Sequence, residues 1–125
     1  MIMLDTSVLI DFPDEWPHDE LFAGSTITLA ELQFGLQLTI GTPQHAERQA
    51  RLSLLDTQFD WTPFDEKAAL GYGTLAVVVQ QTRPNHARSK DILIAGHAYS
   101  MGAALLTRNP KDFALIDKMV EIIPV

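Results

Sequence analysis

The sequence predicts an α/β fold, a central parallel sheet of about five strands flanked by helices. Two observations predict it. Short apolar runs alternate along the chain with longer segments whose apolar residues recur at helical spacing. The clearest short runs, Met1 to Leu4 and Ala103 to Leu106, are apolar throughout, as strands buried on both faces of a parallel sheet are.

Met1 to Leu4 is the first strand, ending at Asp5. Ser7 to Asp11 begins a short helix. Phe12-Pro13 and Trp16-Pro17 break it, because the residue before proline avoids helical geometry. A brief helical segment follows over Asp19 to Ala23, then a Gly24-Ser25 turn and a short strand from Thr26 to Thr28. Leu29, Leu32, Leu36 and Ile40 predict a helix that Gly41 ends. Thr42-Pro43 starts the next, as N-cap and first helical residue, with Ala46, Ala50, Leu54 and Leu55 as its apolar face. Trp61 to Phe64 reads as a short strand. Asp65 caps a long helix carrying Ala68, Ala69, Tyr72, Leu75, Ala76 and Val79. Thr82 to Arg88 is a polar loop. Ser89 caps a helix over Asp91 to Ser100, which Gly102 ends. After the strand Ala103 to Leu106, Asn109-Pro110 opens a short helix. Met119 to Ile123 is the last strand, closed by Pro124.

At 125 residues the chain predicts one domain, residues 1–125, long enough to bury a core. No apolar run approaches the ~20 residues that cross a bilayer. The opening MIMLDTSV has an early Asp and no basic stretch, so neither a membrane span nor a secretory signal is expected. The absence of cysteine excludes disulfides and thiolate zinc sites, and it fits a cytoplasmic protein. A net charge of -7 argues against gripping nucleic acid through the overall field. The distribution qualifies this. Arg83, Arg88 and Lys90 precede Asp91, and Arg108 and Lys111 flank Asp112, whereas Asp14, Glu15, Asp19 and Glu20 form an acidic stretch. Each basic residue is either an ordinary solvated loop charge or part of a positive rim around an acidic site.

Asp5, Glu31, Asp91 and Asp112 each fall where a strand is expected to hand over to a helix. In a parallel sheet such points gather along the carboxyl edge, where ligands bind. Carboxylates gathered there repel one another unless a divalent cation neutralises them. A metal-dependent hydrolase is the function class this pattern points to. Each acid also has an ordinary account. Thr28 and Glu31 form a T-x-x-E capping box, and Asn109 can cap a helix in which Asp112 lies in the first turn. Ser89 can cap while Asp91 complements the helix dipole, and Asp5 can cap the first helix. Two local contexts favour the metal. Asp5 ends a wholly apolar strand with Thr6 and Ser7 following. Asp91 precedes Ile92-Leu93-Ile94-Ala95, which implies a buried helix with a carboxylate at a cleft floor.

Other residues carry less. His18, His45, His86 and His97 show no metal-ligand spacing; His97 reads as packing or surface, and His86 lies in the basic loop within possible reach of phosphate. No phosphate-binding or nucleophile-elbow motif occurs. Trp16 and Trp61 suit packing better than base stacking.

Taken together, the motifs resemble the PIN-domain family, and within it the VapC-type toxins of toxin–antitoxin pairs. The resemblance rests on Leu4-Asp5-Thr6-Ser7-Val8-Leu9-Ile10-Asp11, on Glu31-Leu32 with Gly35, on Asp91-Ile92-Leu93-Ile94-Ala95, and on Leu106-Thr107-Arg108-Asn109-Pro110-Lys111-Asp112-Phe113. It implies a PIN-like fold and a Mg²⁺- or Mn²⁺-dependent endoribonuclease leaving 5′-phosphate and 3′-hydroxyl ends. Asp5 and Asp91 would be the principal metal ligands and Glu31 would complete the pocket. Many relatives carry an acid where this chain has Asn109, so the fourth acidic role passes to Asp112. Thr6, Ser7 and Asn109 become supporting residues, and Arg83, Arg88, Lys90, Arg108 and Lys111 become candidates for RNA contact. The resemblance also implies a VapB-type antitoxin, a homodimer and a toxin–antitoxin hetero-oligomer. The helices from Leu29 to Ile40 and from Ala46 to Leu55 are the expected groove, with Leu32, Phe34, Leu36 and Leu38 on more than one face. The rival from another class is a non-catalytic protein of the same fold acting through its partner.

Overall fold

Ile2, Met3 and Leu4 are buried and pair in parallel with two neighbours, so the strand β1 (Ile2–Leu4) is the middle of the sheet. The structure, a computed structural model, describes residues 1–11 and 19–125. Phe12-Pro13, Asp14, Glu15, Trp16-Pro17 and His18 lie outside the described residues.

After β1 come α1 (Thr6–Ile10), β2 (Phe22–Ser25), α2 (Thr26–Leu38), α3 (Gln44–Gln58) and β3 (Trp61–Thr62). The chain continues through α4 (Glu66–Gln80), α5 (Pro84–Ala87), α6 (Lys90–Ser100), β4 (Ala104–Thr107), a 3₁₀ helix (Pro110–Ile116) and β5 (Ile122–Pro124). The sheet has five strands in the order β3-β2-β1-β4-β5, and every pairing is parallel. Side chains alternate across it. Met3 and Leu105 join the core on one face with Leu75, Ile92 and Phe113, from α4, α6 and the 3₁₀ helix. Ile2, Leu4 and Leu106 face the other core, with Leu9 of α1 and Leu55 of α3.

The structure corrects the reading around residues 19–28. Phe22–Ser25 is a strand, neither helix nor turn, and the helix begins at Thr26. Thr26, Ile27 and Thr28 are all β-branched and favour strands locally. Tertiary pairing and a cap override that preference: Ser25 Oγ accepts from the Ile27 amide at 3.0 Å. Gly24 punctuates no turn; a side chain there would strike the rings of Phe59 and Trp61. The Thr28–Glu31 capping box does not form, since both residues lie inside α2. Thr82 to Arg88 contains a short helix, α5. The last strand begins at Ile122. Thr42 does not cap α3, which begins at Gln44 after Pro43; its hydroxyl donates to the Thr39 carbonyl instead, and β3 stops at Thr62 rather than Phe64. Two helix boundaries hold as expected. Asp65 Oδ1 accepts from the Ala68 amide at 2.9 Å and starts α4. Gly102, at φ +63, closes α6.

α4 and α6 cross at two glycines. A Cβ on Gly71 would meet the Gly96 carbonyl, and a Cβ on Gly96 would meet the backbone of Tyr72. Backbone packs on backbone there, which fixes how near α6, and so Asp91, lies to its neighbours.

Candidate active site

Asp5 follows β1 and is 3% exposed, so its carboxylate sits at the floor of the carboxyl edge. Two hydroxyls hold one of its oxygens. Ser7 Oγ and Thr107 Oγ1 each donate to Oδ2 at 2.8 Å. Both hydroxyls are themselves oriented by backbone: the Arg108 amide donates to Ser7 Oγ at 3.1 Å, and the Asn109 amide to Thr107 Oγ1 at 3.0 Å. The other oxygen, Oδ1, is buried and has no hydrogen-bond partner among the described residues. A buried, unpaired carboxylate oxygen is costly to keep, and a bound cation offsets that cost.

The other acids arrive by different routes. Asp112 follows β4 as expected, in the first turn of the 3₁₀ helix. Glu31 lies well inside α2 rather than at its start, and Thr6 Oγ1 donates to its Oε1 at 2.8 Å. Asp91 is preceded by the helix α5, not by a strand. It reaches the same edge because α6 runs back across the sheet to feed the parallel strand β4. Burial pushes the Asp91 carboxyl up to about 6, helped by the charges of Asp5, Asp112 and Glu31 and opposed by His86. Asp5, Asp112 and Glu31 are therefore each within electrostatic reach of Asp91.

They are not gathered into a ready-made shell: among the described residues no three His, Asp or Glu side chains stand close enough to share a metal ion. The donor chemistry still fits a hard cation. Mg²⁺ keeps several waters and is usually bound through one or two carboxylates, so the bare Asp5 oxygen with Asp91 suffices in number and type.

Asn109 is exposed and enters the hydroxyl network through its backbone amide; its side chain makes no capping bond. Arg83, Arg88, Lys90 and Lys111 are exposed, whereas Arg108 turns to Asp11, donating from Nε to its carbonyl at 2.8 Å. His97 is buried in the core with Nδ1 2.9 Å from Ser25 Oγ, against the ring of Phe64. Trp61 packs edge-on to Phe59 and donates from Nε1 to Asp56 at 2.7 Å. His86 is half-buried and bonds the Asp112 carbonyl.

Sequence reasoning gave Thr107 no role. Its signal was a polar residue closing an otherwise apolar strand. It also missed Arg48 and Arg51 of α3, which with Thr6, Glu31 and Leu32 line a cavity of about 190 Å³ on the Glu31 side. Nothing in the local sequence of α3 marks those arginines. Phe34, Leu38 and Leu54 leave apolar surface exposed on α2 and α3, while Leu36 is buried and Leu32 half-buried.

Comparison with known proteins follows the same outline. A PIN domain family model matches residues 2–119. Ribonuclease VapC2 from Rickettsia felis is 30% identical over 129 residues, covering 94% of this chain and 93% of that protein. The solved structure of VapBC2 from Rickettsia felis, bound to a DNA fragment from its promoter, superimposes with a TM-score of 0.79 at 27% identity, over 100% of this chain and 99% of that one. VapBC-5 from Mycobacterium tuberculosis, a member of the VapBC family of toxin–antitoxin systems, gives 0.78 at 30% identity, over 98% and 97%.

Proposed function

The chain belongs to the PIN-domain family, and within it to the VapC-type proteins; from that premise we propose that it is a metal-dependent endoribonuclease, the toxin of a VapBC-type pair. One observation carries the reading. Asp5 is a buried carboxylate with one oxygen locked by two hydroxyls and the other bare. Such a group is built to present a single oxygen to something positive.

In this reading Asp5 and Asp91 hold Mg²⁺ or Mn²⁺, with Glu31 and Asp112 completing the pocket. A bound cation of this kind neutralises charge at the phosphate and makes water a better nucleophile near neutral pH. Ser7 and Thr107 keep the Asp5 carboxylate from rotating. Thr6 does the same for Glu31. A carboxylate outside the metal-holding pair accepts the proton of the attacking water. Water attacks phosphorus, the bond to the 3′ oxygen breaks, and that oxygen takes up a proton. The products are a 5′-phosphate and a 3′-hydroxyl. Arg83, Arg88, Lys90 and Lys111 supply exposed positive charge to guide RNA despite the negative whole. Arg48 and Arg51 add charge on the Glu31 side.

The partner is a VapB-type antitoxin. The exposed Phe34, Leu38 and Leu54 offer an apolar surface for a partner helix, beside a cavity that opens at Thr6 and Glu31. Homodimers and toxin–antitoxin hetero-oligomers are expected in the cytoplasm. Among the described residues no helix is long and apolar enough to cross a membrane.

The test is direct. Purified protein should cut RNA with Mg²⁺ or Mn²⁺, stop in EDTA, and leave ends that a 5′-phosphate-dependent exonuclease digests. Cleavage that persists in EDTA with cyclic phosphate ends, or no cleavage of any RNA, would sink the reading. In the second case the non-catalytic alternative takes its place.

A further inference from the structure

Among the described residues His86 is the one histidine whose charge acts on Asp91, and the proposed chemistry gives it no part. Its ring touches both segments that carry Asp91 and Asp112. Nε2 is 2.7 Å from the Asp112 carbonyl, and Nδ1 is 3.4 Å from Ser89 Oγ. A carbonyl oxygen only accepts, so Nε2 carries the proton. In the neutral ring Nδ1 is then an acceptor, and Ser89 donates to it. This explains an oddity of α6. Ser89 occupies its N-cap position, yet its side chain makes no bond to the helix amides. The hydroxyl is turned toward His86 instead.

We propose that His86 is a positioning residue for the acidic site, a bridge that sets the spacing between Asp91 on α6 and Asp112 on the 3₁₀ helix. The two acids sit on different elements, and the same ring bonds a group at the N-cap of one and in the first turn of the other. Asp112 is held through its own backbone carbonyl, and Asp91 through the cap residue two positions before it. A bridge from a backbone carbonyl to a cap leaves both carboxylates free for a ligand. It also converts two separately tethered acids into a pair of defined separation. The inference rests on the metal-dependent reading of the site. Its consequence is that His86 governs how well the site takes a cation, without touching cation or RNA.

Calorimetric titration with Mn²⁺ alone, without RNA, tests this in wild type, His86→Ala, His86→Gln and Ser89→Ala. Loss of an outer support of this kind weakens metal binding by about tenfold or more, and His86→Ala should do so. Glutamine can donate to the Asp112 carbonyl and accept from Ser89, so His86→Gln should recover most of the affinity. Ser89→Ala removes one limb only and should fall between, and it serves as the second probe if His86→Ala does not fold. Amide exchange in EDTA should rise across residues 110–116 in His86→Ala and not in His86→Gln. Unchanged Mn²⁺ affinity in both His86→Ala and Ser89→Ala overturns the bridge alone. So does a loss that glutamine fails to restore, which would make the ring mere packing. A wild-type protein that neither binds Mn²⁺ nor cuts RNA overturns the bridge and the nuclease reading together.

Discussion

The Thr6 hydroxyl donates to the Glu31 carboxylate at 2.8 Å and so joins the start of α1 to the interior of α2. The bond holds an acid that no helix end positions. We predict that Thr6→Val, which keeps the shape and removes the donor, frees Glu31 to wander. Cleavage at limiting Mn²⁺ should fall about tenfold, in the range seen when outer support of a metal site is lost. The stability change should stay near 1 kcal/mol, the worth of one partly exposed hydrogen bond. Unchanged rates across a Mn²⁺ series would detach Glu31 from the working site.

Asp5→Asn and Asp91→Asn should each abolish RNA cleavage while circular dichroism stays that of the wild type. Asparagine at position 5 can still accept from Ser7 and Thr107 through its carbonyl oxygen, so the network survives and only the charge is lost. Full activity in either variant removes that residue from the site.

Asp112→Asn should reduce activity far more than Asn109→Ala. The Asn109 side chain makes no capping bond, and its contribution to the network is a backbone amide that alanine keeps. The stability of Asn109→Ala should therefore change by well under the ~1 kcal/mol of a lost cap. If Asn109→Ala is the more damaging at saturating metal, position 109 holds the working role.

Two groups make stability depend on pH in opposite directions without metal. Asp91 is raised from 3.8 to about 6, so its stabilising effect is complete below about 3.8 and is lost as pH rises through about 6. In EDTA, Asp91→Asn should raise the unfolding free energy at pH 7.5 by on the order of 1 kcal/mol after allowance for solvent screening, and give no such gain near pH 4. His97 is lowered by burial, which outweighs the pull of Asp65, so its contribution is present above 6.5 and is lost as pH falls. The stability difference between wild type and His97→Gln should shrink between pH 7.5 and 5. Differences that stay flat with pH would contradict both assignments.

Gly96→Ala should destabilise the fold by about 3 kcal/mol, because the new methyl meets Tyr72 backbone, which cannot rotate away. Gly73→Ala on α4 meets nothing within 4 Å and should be neutral or slightly stabilising. Equal melting temperatures for the two variants would show that the helix crossing is looser than its geometry.

The parts legible in the sequence were those set by strong local chemistry. Asp65 before a long helical repeat, Gly102 after one, and the apolar runs at β1 and β4 all kept their predicted roles. What failed was set by distant partners. Ala23 and Gly24 form a strand because Met3 and Trp61 lie beside them in the sheet, and no local propensity records that. The four acids were singled out for a placement that was only half right. Asp5 and Asp112 do follow strands, but Glu31 and Asp91 reach the edge through helix direction, a property of the assembled layers. The hydroxyl of Thr107 and the arginines of α3 became visible only once residues a hundred positions apart, or on another helix, were set side by side.

The network around Asp5 has one further consequence, for synthesis. Thr107, which donates to the Asp5 carboxylate, is made 102 residues after it. β1 likewise lacks one of its two neighbours until β4 emerges. A growing chain therefore carries the acid long before it carries the pocket. The order of the sheet delays assembly of the site until β4 has been made, so a chain still short of β4 carries Asp5 without the Thr107 hydroxyl that holds it.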